Sequence, residues 1–257
     1  MNELRQILKE LKENYGICGI RTDMASEIVP KQEFVMFRQF CDEFELKYNI
    51  KIGGCDASTD ISLAKNAGVN SIICPMVETE YALQKFVNNC KRIYNNLDQV
   101  DLLINIETIN AYNNLDSILA SESMKSIKGI VLGRDDMASS LSLNMDDVNS
   151  DKIFNIAVNI SNKAHEYGKS FTIGGGVRPQ AIHFLKAFNG QSFTNYETRR
   201  VVFDSRALNK NNFTEGVTKA IEFEIKWLEY IEANKLLDIN FTQNRIESLK
   251  NSLYLKV

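Results

Sequence analysis

A chain of 257 residues that is 44% hydrophobic and 25% charged is long enough for one large core and too apolar to stay disordered. Its net charge of -3 gives no overall pull toward nucleic acid or an anionic membrane, so neither is expected as a partner. No apolar run has the length to span a bilayer, and the five cysteines (Cys18, Cys41, Cys55, Cys74 and Cys90) include no C-x-x-C pair, so reduced thiols in a cytoplasmic protein are expected.

In chain order, MNELRQILKELKEN reads as a charged amphipathic helix and not as a signal peptide. Short apolar runs then alternate with longer segments of helical period. The runs are Gly16–Thr22, Ile50–Gly54, Ser71–Met76, Val100–Glu107, Ile127–Gly133, Ser170–Gly175 and Ser192–Asp204. Several, such as LLINI and IVLG, are continuously apolar, as strands buried on both faces of a parallel sheet must be. Between them, Pro30 opens a helix toward Lys47, helices are expected over 57–67, 79–93 and 150–167, and Gly68 and Gly168 suit helix ends. This alternation predicts a parallel sheet with right-handed crossovers.

The fold expected over 1–257 is a single α/β domain, a (β/α)8 TIM-type barrel with one atypical strand. Seven strands are clear, the eighth being a piece of 192–204 or a segment near the amino terminus, and an open doubly wound sheet is the competing architecture. The segment 213–257 reads as a C-terminal helical extension, with Val217, Ile221, Ile225, Leu228 and Ile231 on one stripe and a second helix starting at Thr242. It is expected to pack on the barrel or on a neighbouring subunit of a homo-oligomer.

In parallel α/β folds the loops at the carboxyl ends of the strands converge on the site. The polar residues there are Arg21, Asp23, Glu27, Lys51, Glu78, Glu107, Arg134, Asp135, Asp136 and Arg178, with Glu197, Arg199 and Arg200 in the last run. Glu107 and Asp136 come from consecutive strand ends. Two facing carboxylates repel unless a cation lies between them, and an all-oxygen set with open positions suits Mg²⁺ or Mn²⁺. The plainer alternative is that each pairs with arginine or caps a helix.

INIET (104–108) and GRDDMASSL (133–141) resemble the metal motifs of the HpcH/HpaI aldolase and citrate lyase β-subunit family, and PMVETEYAL (75–83) resembles its third-strand exit. The resemblance runs roughly from Ile50 to Phe203. It implies a metal-dependent barrel that stabilises an enolate, with Glu107 and Asp136 as metal ligands and the backbone N–H groups of Asp135 and Asp136 holding the substrate carboxylate. The chain departs from the pattern twice. Lys51 stands where the family carries an arginine, giving a point charge and not a fork. The early histidine of the aldolase branch is missing, since His165 and His183 both fall in helical segments. The acid or base is then expected among Asp23, Glu27 and metal-bound water, with Lys51 as a third catalytic group.

The function expected is a metal-dependent carbon–carbon lyase or aldolase that joins a pyruvate-like 2-oxo acid and an aldehyde. Arg134, Asp135, Glu78, Arg21 and Arg178 are the candidate substrate contacts. A citrate-lyase-like acyl-CoA lyase is the second reading, and a non-catalytic regulatory subunit that kept the barrel is the third.

Overall fold

A computed structural model describes residues 1–188, 193–210, 212–237 and 239–254. The expected strand start at Ser192, and residues 238 and 255–257 of the C-terminal extension, lie outside them. The strands are β1 (Ile17–Asp23), β2 (Lys47–Lys51), β3 (Ser71–Cys74), β4 (Asp101–Ile106), β5 (Ile127–Gly133), β6 (Ser170–Gly174), β7 (Asn195–Glu197) and β8 (Val201–Asp204). The helices are α1 (Asn2–Tyr15), α2 (Lys31–Phe44), α3 (Ser58–Asn66), α4 (Glu80–Tyr94), α5 (Ile109–Asn113), α6 (Leu115–Ala120), α7 (Arg134–Ser140), α8 (Asp151–Glu166), α9 (Ile182–Ala187), α10 (Phe213–Ala233) and α11 (Ile239–Tyr254).

The eight strands close into a barrel in chain order, which excludes the open sheet. Strands β1 to β7 pair in parallel. The parallel expectation fails at β8, which runs antiparallel to both β7 and β1. The cause is chain length. Only residues 198–200 separate β7 from β8, and a parallel crossover needs a dozen residues or more, so the chain can only turn back as a hairpin. The run expected as one strand over 192–204 is therefore two.

The helices cover the barrel through apolar faces. On α8, Ile153, Ile156, Ala157, Ile160 and Ala164 are buried at helical spacing. Thr79 and Thr108 begin α4 and α5 by accepting the N–H groups of Ala82 and Ala111, each at 3.1 Å. Helix α10 lies beside α1, and α11 packs on α10. Phe37 of α2 meets Trp227 and Phe223 of α10 at ring separations of 4.8 and 6.1 Å. Among the described residues no helix is long and apolar enough to cross a membrane.

Candidate active site

The carboxyl ends of the strands surround a cleft of about 200 Å³, lined mainly by charged side chains and glycines. Register decides what meets there. Ile106 of β4 pairs with Leu132 of β5, so the next residues out, Glu107 and Gly133, face one another at the exit. Glu107 is fully buried. Its Oε1 accepts the Met76 N–H at 3.0 Å, and its Oε2 accepts Asn105 Nδ2 at 2.6 Å and Lys51 Nζ at 3.1 Å. Strands β2, β3 and β4 thus fix one carboxylate.

Gly133 is what makes room for it. A Cβ at residue 133 would lie 2.4 Å from Glu107 Oε2, closer than any real contact. Gly133→Ala should therefore cost about 1–3 kcal/mol by overpacking and, more tellingly, swing the Glu107 carboxylate. Denaturant unfolding reads the first effect. An upfield or downfield move of the Lys51 ammonium resonance reads the second, and an unmoved resonance with wild-type stability would count against this packing.

Asp136 sits in the first turn of α7, one strand over. It keeps an exposed flank. Loss of water around the carboxyl, and then the negative charge of Glu107, push its pKa from 3.8 up to about 6, with Lys51 pulling the other way. Lys51, 3.1 Å from Glu107 Oε2, is the cation that the structure sets beside both carboxylates, and its single charge offsets the raised Asp136 carboxyl only in part. Among the described residues no group of three or more His, Cys, Asp or Glu side chains is disposed to hold a metal. The fit is that of a two-carboxylate site, in which water and substrate oxygens complete the sphere, as Mg²⁺ commonly uses. The Asp136 carboxyl, raised beside the Glu107 charge, fits such an ion.

The other candidates divide. Asp23, at the end of β1, accepts the N–H groups of Ala25 and Ser26 at 3.1 Å and lies 3.6 Å from Arg21. Burial opposes its charge, but Arg21, Lys51 and Arg199 hold its carboxyl below the ordinary value. Arg21 is engaged by Glu197 and by the Arg199 carbonyl at 3.1 Å. Glu27 is bound by Arg199 and Arg200 and is not part of the cleft lining. Glu78 also lies off the cleft, accepting the Thr108 hydroxyl. Asp135 accepts the Gly176 N–H at 2.9 Å through Oδ2, and its buried Oδ1 has no partner among the described residues.

Arg134 is fully buried and its guanidinium is committed. It donates to the carbonyls of Gly174 and Gly175 and to Asn149 Oδ1, at 3.2, 2.6 and 2.7 Å, and lies 4.4 Å over the Phe184 ring. It clamps the β6 exit and is not part of the cleft lining, so the expected substrate contact is not placed there. Gly175 explains the glycine run: with φ at +70°, a Cβ there would strike the amide nitrogens of Arg134 and Asp135 at 2.6 Å. The amides expected to hold a carboxylate are thus packed against this loop on the Asp135 side. Arg178 lines the cleft with no ion-pair partner among the described residues.

Two features escaped sequence reasoning. Glu197 stood among the strand-end charges without a role, yet it is buried in the cleft, where burial raises its carboxyl above the ordinary value and Arg21 offsets this only in part. The mouth is also roofed by Arg245, Ser248, Leu249 and Ser252 of α11, with Glu224 of α10 holding Arg245 at 2.7 Å. His165 and His183 are exposed on α8 and α9, away from the cleft.

Residues 52–172 match the HpcH/HpaI aldolase/citrate lyase family. Both Glu107 and Asp136 lie inside the matched segment, and the family is one of aldolases and lyases. A solved HpcH/HpaI aldolase from Desulfitobacterium hafniense DCB-2 has a TM-score of 0.62 at 12% identity, covering 86% of this chain and 89% of that one. An HpcH/HpaI aldolase/citrate lyase family protein from Burkholderia cenocepacia J2315 gives 0.57 at 13%, covering 77% and 93%. Citrate synthase SbnG gives 0.59 at 15%, covering 76% and 82%. At these identities the likeness is one of fold. Among curated proteins there is no significant sequence match.

Proposed function

We propose that this protein is a divalent-metal-dependent carbon–carbon lyase or aldolase acting on a small 2-oxo acid such as pyruvate, with an aldehyde as the second substrate. The observation that carries this reading is the pair Glu107 and Asp136, brought together at adjacent strand exits so that burial and the Glu107 charge raise the Asp136 carboxyl, within the segment that matches a lyase family. Mg²⁺ or Mn²⁺ held there supplies a Lewis acid beside the substrate's carbonyl and carboxylate oxygens.

The chain's own groups do the rest. Lys51 and Arg178 place fixed positive charge where a carboxylate binds, so negative charge develops against donors already in position. Lys51 also keeps Glu107 oriented. Asp23, held charged by its cationic neighbours, is a weak base near neutrality. Glu197 is better matched to taking the proton, because burial lifts its basicity. The roof from α11 limits water in the cleft.

The charged, glycine-lined strand ends favour a small carboxylate as the reacting group. The space at the strand ends, about 200 Å³, is of the size of a three- or four-carbon oxo acid, with a further cavity beyond Arg178 and Ser252. The raised Asp136 carboxyl beside Glu107 in the cleft favours a catalytic role over a regulatory scaffold. Proton NMR of pyruvate in D₂O tests the proposal. Methyl protons should exchange with solvent when protein and Mn²⁺ or Mg²⁺ are both present, and stop on chelation. Absence of exchange, together with no binding of oxalate plus Mn²⁺, would overturn it.

A further inference from the structure

Cys55 and Cys74 form an unusual pair. Cys55 lies in the short link between β2 and α3, and Cys74 ends β3. Both are free thiols, Cys55 half-buried and Cys74 buried, and Cys74 Sγ donates toward Cys55 Sγ at 3.8 Å. A disulfide requires the sulfurs to close by less than about 2 Å. The Cys55 carbonyl is steadied by Asn89 Nδ2 at 3.0 Å, so the link is already held against the barrel. Neither cysteine lines the cleft.

The pair is tied to the cleft through the backbone on both sides. Two residues beyond Cys74, the Met76 N–H holds Glu107 Oε1 at 3.0 Å. Four residues before Cys55, Lys51 Nζ holds Glu107 Oε2 at 3.1 Å. Met76 has φ at +52°, a left-handed conformation that a residue with a Cβ adopts only where its surroundings impose it. A pull on Cys74 therefore acts on a segment with little slack.

We propose that Cys55 and Cys74 are a peroxide-oxidisable dithiol whose disulfide loosens the Met76 anchor of Glu107. Cys55 is the sulfur oxidised first, being the accessible one. Its thiol is lowered to about 7, chiefly by the hydrogen bond from the Cys74 thiol and against the effect of burial. The other thiols are protected by burial, which raises Cys41 and Cys90 to about 12 and Cys18 to about 11. In the first step the Cys55 thiolate takes one oxygen of the peroxide. The O–O bond breaks, hydroxide leaves, and sulfenic acid forms. In the second, Cys74 sulfur displaces that hydroxyl, its own proton completing a water. Two thiols and one hydrogen peroxide give one disulfide and two waters, and an external thiol reverses the change by exchange.

Peptide mapping of the whole chain after stoichiometric hydrogen peroxide and thiol blocking tests the pair. A Cys55–Cys74 cross-linked peptide, two hydrogens lighter and lost on reduction, is expected in wild type and in Cys41→Ser, and absent in Cys55→Ser and Cys74→Ser. Amide hydrogen exchange of the same samples tests the coupling. Met76 should exchange at least about tenfold faster in the oxidised form, and Cys55→Ser should show no response to peroxide. Overoxidation of Cys55 without a cross-link, a cross-link through another cysteine, or unchanged exchange at Met76 would each overturn the proposal. None of these readouts depends on the lyase reading.

Discussion

Asp136→Asn is expected to lower pyruvate proton exchange by about a hundredfold or more while leaving the fold unchanged. The substitution keeps the side-chain volume and removes the charge. Because Asp136 has an exposed flank and makes no buried ion pair, its loss exposes nothing. Relief of repulsion with Glu107 should leave stability level or slightly higher. The sign of the pH effect follows from the same pair. With its carboxyl raised to about 6, Asp136 is increasingly neutral below that pH and charged above it. With the cation kept limiting, wild-type exchange should therefore climb as pH rises through about 6 and then level off. The Asn variant should show no such step. Wild-type exchange in the variant removes Asp136 from the chemistry.

The largest stability effect is expected at Arg200, far from any motif. Its guanidinium joins Glu27 and Glu33, the latter at 2.6 Å; Arg200 and Glu33 are buried and Glu27 is partly so. Glu33 also accepts Thr22 Oγ1 and Trp227 Nε1, both at 2.7 Å, and Thr22 meets the Tyr48 hydroxyl at 2.9 Å. The network ties the β7–β8 hairpin, α2 and α10 together. Arg200→Met leaves the buried Glu33 carboxylate without its cation inside the fold, while Glu27 keeps Arg199. The expected loss is about 3–5 kcal/mol near neutrality, as for other buried pairs broken on one side. Burial already raises Glu33 above its ordinary 4.5, against the pull of Arg200. A raised carboxyl holds its proton in the folded state after the unfolded chain has released it, so stability falls as pH rises through that range. Removing Arg200 raises it further. The deficit of the variant should thus shrink when denaturant unfolding is repeated at about pH 5 instead of about pH 7. A pH-independent loss under 1 kcal/mol, the size typical of surface pairs, would mean that the network carries no such weight.

Sequence pattern showed the parts of this molecule whose environment is uniform. IKGIVLG is apolar because β5 is buried along nearly its whole length, and its bounds were legible as Ile127–Gly133. Strand β2 was not. KYNIK carries Asn49 and Lys51, buried in the barrel and at the cleft, so hydropathy shifts the apparent strand toward Ile50–Gly54. The hairpin of β7 and β8 merged into one run because three polar residues between apolar ones look like an interrupted strand. The placement of Glu107 and Asp136 at the exits of β4 and β5 could be read from INIET and GRDDMASSL, since a short motif fixes where the chain leaves a strand. The partners of Arg200 and Glu33 could not. Trp227 is 194 positions from Glu33, and only closure of the barrel brings them together. The same holds for α11, whose polar face carries no sign that it roofs a cleft.

A crystal grown with Mn²⁺ and oxalate, read by anomalous scattering, tests the central claim most directly. Manganese is expected between the carboxylates of Glu107 and Asp136, with oxalate oxygens on it and Lys51 or Arg178 on the far carboxylate. A manganese peak elsewhere, or an intact Lys51–Glu107 contact with Asp136 turned to solvent and no ion beside it, would contradict it.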